Sequence, residues 1–205
     1  MRLGRERLEA LRAEITGELH AGEELIVTHW VARRGTALAV SARYAELRKY
    51  FSEGFLRDAL ELGENLCMDE ERELALKCRA SAILPLGEGG VLAGLWKMAE
   101  AGGVGLSVYL RKIPIRQETI EVCERLDINP YQLQSQGSLL IGAIHGDLLV
   151  QELQNHGIPA AVIGHARKGN DRLLYNQENI RYLDRPKRDE IYKILTDKGE
   201  EAWQG

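Results

Sequence analysis

The run Ser138-Leu139-Leu140-Ile141-Gly142-Ala143-Ile144 has no polar residue after its first position. A short run of that kind reads as a buried strand. Gly146-Asp147 then opens a helix that ends at Asn155-His156-Gly157, and Ile158 to His165 is another strand. A buried strand flanked by strands and amphipathic helices demands a layered fold.

The rest of the chain fits that demand. Residues 5–19 place Leu8, Leu11, Ile15 and Leu19 on one stripe, which predicts an amphipathic helix. Leu25 to Val31 predicts a strand, and helices are expected over about 36–50, 53–62 and 68–79. Ser81 to Leu86 reads as extended and runs into Gly87-Glu88-Gly89-Gly90. A helix follows through Leu92, Leu95 and Met98, with Gly102-Gly103 as its stop. Gly105 to Leu110 is a strand broken by Pro114, and Arg116 to Leu126 a helix with Ile120, Cys123 and Leu126 inward. Asn129-Pro130 marks a turn. Leu173–Tyr175 and Ile180–Leu183 predict a hairpin, and Pro186 suits the first turn of a last helix. The expected class is α+β or layered α/β: a mixed sheet packed by helices. Residues 1–20 form a helical extension, and 21–200 a single globular unit.

Of the 205 residues, 44% are hydrophobic and 28% charged, which excludes a disordered chain. No apolar run approaches the ~18 residues of a membrane span, and the basic start is not followed by a signal core. The net charge is −4, spread evenly over both halves, so nucleic acid is not an expected partner. Two local patches stand out: eight acids against two Arg over residues 53–73, and seven Lys/Arg against three acids over residues 167–188. Cys67, Cys78 and Cys123 make no CxxC pair, so they read as small buried hydrophobes in a reducing, cytoplasmic setting. The elevenfold spacing of Cys67 and Cys78 places both on one side of a helix.

Two segments carry candidate ligand-binding residues. Gly87-Glu88-Gly89-Gly90 sits where an extended segment meets a helix, and glycines there let backbone N–H groups approach an anion. The alternative is a tight turn that needs positive φ. Gln136-Gly137-Ser138 is a polar entry into a buried strand, either a cleft edge or a turn. His29, His145, His156 and His165 lack HxxxH or HExxH spacing and read as turn or surface residues. No catalytic group and no metal set stands out.

The stretch from Glu88-Gly89-Gly90-Val91-Leu92-Ala93-Gly94-Leu95 to Gly102-Gly103-Val104-Gly105 resembles the glycine-rich helix of the AIR synthase-related proteins. The resemblance continues in Ile113-Pro114-Ile115-Arg116, Ile128-Asn129-Pro130, Gln136-Gly137-Ser138-Leu139-Leu140 and Ala161-Val162-Ile163-Gly164. The hydrogenase-maturation branch of the HypE type is the most similar. This resemblance implies an AIR synthase-like C-terminal domain. Family members pair that domain with an N-terminal one that dimerises and binds Mg-ATP.

Three departures follow from the same comparison. The N-terminal ATP domain has no counterpart in the twenty residues from Met1 to His20. The Asp-x-Thr that precedes Glu-Gly-Gly in relatives is Pro85-Leu86-Gly87 here. The cysteine at the C-terminus of the HypE type is replaced by Glu201-Ala202-Trp203-Gln204-Gly205. The expectation is a module that is not an enzyme on its own, binding a nucleotide- or phosphate-like ligand or acting as a scaffold. The alternative is the substrate-binding half of a split ATP-dependent enzyme. ATP and Mg enter only if a separate N-domain-like partner supplies them. A second copy of the chain is the other expected partner, and the Leu/Ile stripe of residues 1–20 either covers the core or pairs with that copy.

Overall fold

A computed structural model describes residues 3–200, with side chains described to residue 195. Eight strands form one sheet: β1 (Thr16–Gly17), β2 (Glu24–Thr28), β3 (Ala82–Pro85), β4 (Gly105–Tyr109), β5 (Leu139–Ala143), β6 (Ala160–Arg167), β7 (Arg172–Asn176) and β8 (Asn179–Tyr182). Their order is β1-β3-β5-β2-β6-β4-β7-β8. Among the described residues only the β4–β7 pair is parallel, so the sheet is mixed.

The run around Leu139 is central, paired with β3 on one side and β2 on the other. Successive side chains point to opposite faces, so both faces need cover. Leu140, Leu25, Val27 and Leu84 join the core of α5 (Gly90–Gly102) and α1 (Arg5–Ala13). Leu139, Ile141, Ile26 and Ile83 meet α4 (Asp69–Lys77) and α7 (Gly146–Asn155) on the other side. A third cluster joins α2 (Arg33–Leu47), α3 (Glu53–Glu61), α6 (Gln117–Arg125) and α8 (Ile191–Glu200) through Val40, Leu47, Leu56, Val122, Cys123 and Ile191. Short 3-10 turns lie at Leu110–Lys112 and Pro130–Gln132.

Several local expectations are corrected. The first helix stops at Ala13 rather than running to residue 19. Gly17 takes φ +80°, and Thr16–Gly17 pairs with Ala82–Ile83, so strand pairing overrides the helical period. Leu11, Ile15 and Leu19 are nonetheless buried in the α5 cluster, so the stripe covers this chain's own core. The strand from Leu25 ends at Thr28, where His29 adopts φ +54°. In α6 the inward residues are Thr119, Val122 and Cys123, while Ile120 is exposed. Cys67 and Cys78 flank α4 and are exposed; only Cys123 is buried. The last helix begins at Ile191, five residues beyond Pro186, because Asp189 supplies the cap: its Oδ1 accepts the Ile191 N–H at 2.9 Å.

Candidate functional site

β3 leaves the sheet at Pro85 and passes through Gly87-Glu88-Gly89 into α5. Gln136-Gly137-Ser138 leads into β5 directly beside it. Leu86 N–H donates to Ser138 O at 2.9 Å, and Ser135 N–H donates to Gly87 O at 3.0 Å. The two segments singled out in the sequence are therefore neighbours, because β3 and β5 are paired.

Their side chains serve different ends. Gly89 is the N-cap of α5, with φ +78°, and Gly90 follows with φ +65°. A Cβ on Gly90 would lie 2.6 Å from Tyr131 O and 2.7 Å from Leu133 O. Glycine is required there by chain crowding as well as by φ. Glu88 is exposed, and Gly87 is half-buried. Gly137 is buried, with φ +91°. Ser138 Oγ donates to Trp30 O at 2.9 Å, which ties β5 to the loop after β2.

The N-terminus of α5 already carries an anion. Asp189, 2% exposed, accepts the Gly89 N–H at Oδ2, at 2.6 Å. Burial pushes its carboxyl up from the usual range, against the pull of backbone hydrogen bonds from Ile191, Gly89 and Gln134. The sequence reading did not find this residue. It lies 100 positions from Gly89, and nothing local marks it.

A second polar group surrounds Gly137. Arg33 donates through Nη1 to Gly137 O at 3.2 Å and through Nη2 to Glu64 O at 3.0 Å. Burial lowers its pKa, and Glu71 partly restores it. His29 Nε2 lies 2.5 Å from Glu71 Oε1, so His29 is a half-buried ion-pair or hydrogen-bond partner rather than an isolated turn residue. Gln136 Oε1 and Arg33 Nε are buried without a partner among the described residues. His145 and His165 are exposed, as expected, and exposed His156 Nδ1 lies 2.9 Å from Glu152 O.

Beside Gly89 lies a cavity of about 40 Å³, floored by the first turns of α5 and walled by the β7–β8 hairpin and residues 183–187. Arg181, Arg185 and Lys187 line it. These cations come from the basic stretch that the composition showed but did not place.

The chain matches the family described as AIR synthase related protein, C-terminal domain, over residues 20–175. The chain belongs to that family. A putative hydrogenase expression/formation protein of Methanocaldococcus jannaschii is 24% identical over 180 residues, covering 84% of this chain and 51% of that protein. The crystal structure of E. coli HypE, a hydrogenase maturation protein, is similar in fold, with TM-score 0.67 and 22% identity, over 84% of this chain and 52% of that one. Thiamine-monophosphate kinase from Stenotrophomonas maltophilia has TM-score 0.63 and 19% identity, over 77% of this chain and 51% of that one. The chain thus spans about half the length of these relatives.

The residues of this AIR synthase-related chain do not fit a magnesium site at the α5 turn. Pro85, Leu86 and Gly87 offer no side-chain oxygen, and Glu88 stands exposed. Among the described residues, no three His, Cys, Asp or Glu groups converge as a metal set. No helix among them is long and apolar enough to cross a membrane.

Proposed function

We propose that this chain is a non-catalytic module that binds a small nucleotide- or phosphate-like ligand where the α5 turn, residues 87–90, meets the β5 entry, residues 136–138. One observation carries this reading: backbone hydrogen bonds from Leu86 N–H to Ser138 O at 2.9 Å and from Ser135 N–H to Gly87 O at 3.0 Å hold the two segments side by side, and a cationic cavity lies beside Gly89. Rigid, hydrogen-bonded backbone at a strand-to-helix turn gives a preorganised edge for a polar ligand. The absence of carboxylates at Pro85–Gly87 argues against a metal-assisted step on this chain alone.

Calorimetric titration of ADP and ATP, with and without Mg²⁺, tests it. Stoichiometric binding independent of Mg²⁺, without turnover, is expected. Turnover of ATP by the isolated chain would overturn the non-catalytic assignment.

A second reading rests on coverage, since the HypE and kinase structures extend over about twice the matched length. In that reading the chain is the substrate-binding half of an ATP-dependent enzyme, and a separate N-domain-like chain supplies the nucleotide fold. A structure of HypE in complex with HypF shows that one relative does assemble with another protein. Mixing this chain with a purified AIR synthase-type N-terminal domain tests it. ATP hydrolysis that requires both chains supports the split enzyme; no association at micromolar concentration removes it. A second copy of this chain is the other expected partner, read by mass in solution.

A further inference from the structure

We infer that the cavity beside Gly89 is a phosphate-group site, built by Arg181, Arg185 and Lys187 from beyond the family-matched region. The inference rests on the ligand-binding reading above and names the chemical class of the ligand. The family match ends at residue 175, whereas the three cations lie at 181–187.

Three observations support it. First, the cations are uncommitted. Among the described residues none of the three makes an ion pair or a side-chain hydrogen bond; Arg185 only lies over the Trp96 ring, 5.7 Å from its centroid. Arginine and lysine donors that converge on one cavity without a carboxylate partner suit an external anion. Second, the lining is positive: three cations stand against the one carboxylate of Asp184, and the Asp189 carboxylate behind Gly89 is already met by the Gly89 and Ile191 N–H groups. A phosphate monoester carries close to two negative charges at neutral pH. Third, the size selects a phosphate group over a whole nucleotide. A water needs roughly 10–15 Å³ of such space, so a cavity of about 40 Å³ admits about three waters or one tetrahedral oxyanion. The rest of any ligand must extend outward from the cavity.

Asp189 explains why side chains rather than the helix end hold the anion. Its carboxylate already occupies the Gly89 N–H at 2.6 Å, so that donor is not open. The sequence-based expectation of backbone capture at Gly89 thereby becomes side-chain capture one layer further out.

The test is calorimetry on the full chain at low salt, with inorganic phosphate, AMP and adenosine as probes. Phosphate and AMP should compete for one site, and adenosine should bind at least tenfold more weakly than AMP. AMP tighter than phosphate identifies an organic phosphate as the ligand; equal affinity identifies free phosphate. Arg181→Gln combined with Lys187→Gln should weaken both at least tenfold at unchanged melting temperature. Lys187→Glu alone, at an exposed loop position, provides a second variant. If AMP binds these variants as tightly as wild type, the phosphate site is overturned while the binding module stands. If wild type binds neither phosphate nor AMP, both readings fall. If chloride displaces phosphate as well as sulfate does at equal ionic strength, the cavity is only a screened positive patch and the inference is overturned.

Discussion

The two ends of the sheet are built differently. Around β3, β5 and β2 both faces are covered, by α1 and α5 on one side and α4 and α7 on the other. At the β4–β7–β8 end one face packs through Leu106, Val108 and Leu174, while the other leaves large side chains in solvent. Tyr109 and Tyr175 stack there at 5.2 Å, and Ile180 and Tyr182 are 59% and 66% exposed. The covered end carries apolar burial on both faces of the sheet, and the open end carries exposed side chains and loops. The cationic cavity lies on the second kind of structure, with its floor on the first.

That contrast gives graded expectations. Leu140→Ala, in a fully buried position, should cost about 2–5 kcal/mol in urea unfolding. An equal cost at Tyr182 would erase the distinction between the ends. Leu11→Asp with Ile15→Asp should destabilise the monomer by several kcal/mol, about the scale of burying unpaired charge. Unchanged melting together with a lower mass in solution would instead assign that stripe to a dimer contact. Gly90→Ala should cost about 2 kcal/mol or more, since it combines positive φ with contacts at 2.6 and 2.7 Å. Tyr182→Ala should move stability by no more than about 0.5 kcal/mol.

Two carboxylates, Asp189 and Glu100, differ in the sign of their pH response. Burial pushes Asp189 up, so the folded chain keeps that proton to higher pH than the unfolded chain. Its contribution is complete below the unfolded pKa and is lost as pH rises through the folded value. Glu100 is pushed up by burial, but hydrogen bonds from Arg172 and the Leu3 backbone outweigh this and hold its carboxyl low. Its contribution is present above the unfolded pKa and is lost as pH falls through the folded value. Melting temperature from pH 3 to 6 should therefore lose its acid-side decline in Glu100→Gln and its opposite slope in Asp189→Asn. Parallel curves for wild type and both variants would break the assignment.

Much of this was legible along the chain. The strand at Leu139, the glycine-bounded helix α5 and the last hairpin follow from local pattern, because each element is long or apolar enough to show its own period. The pairing of residues 87–90 with 136–138 was half legible: each segment was visible, but not their contact. Asp189, the His29–Glu71 contact and the cationic cavity were not legible, since each joins residues distant in sequence. Ile120 was misplaced for a smaller reason, because which residues of a helix stripe face inward depends on the neighbour it meets, and Cys67 and Cys78 escape burial because α4 spans only Asp69–Lys77.

The sequence by itself determined the layered fold, because hydrophobic period acts locally, and its glycine-rich motifs carried the resemblance to the family. Only the tertiary structure decided that Asp189 fills the α5 N-terminus and that Arg181, Arg185 and Lys187 face one cavity. Long-range packing brings those charges together, and burial then sets how strongly each one acts.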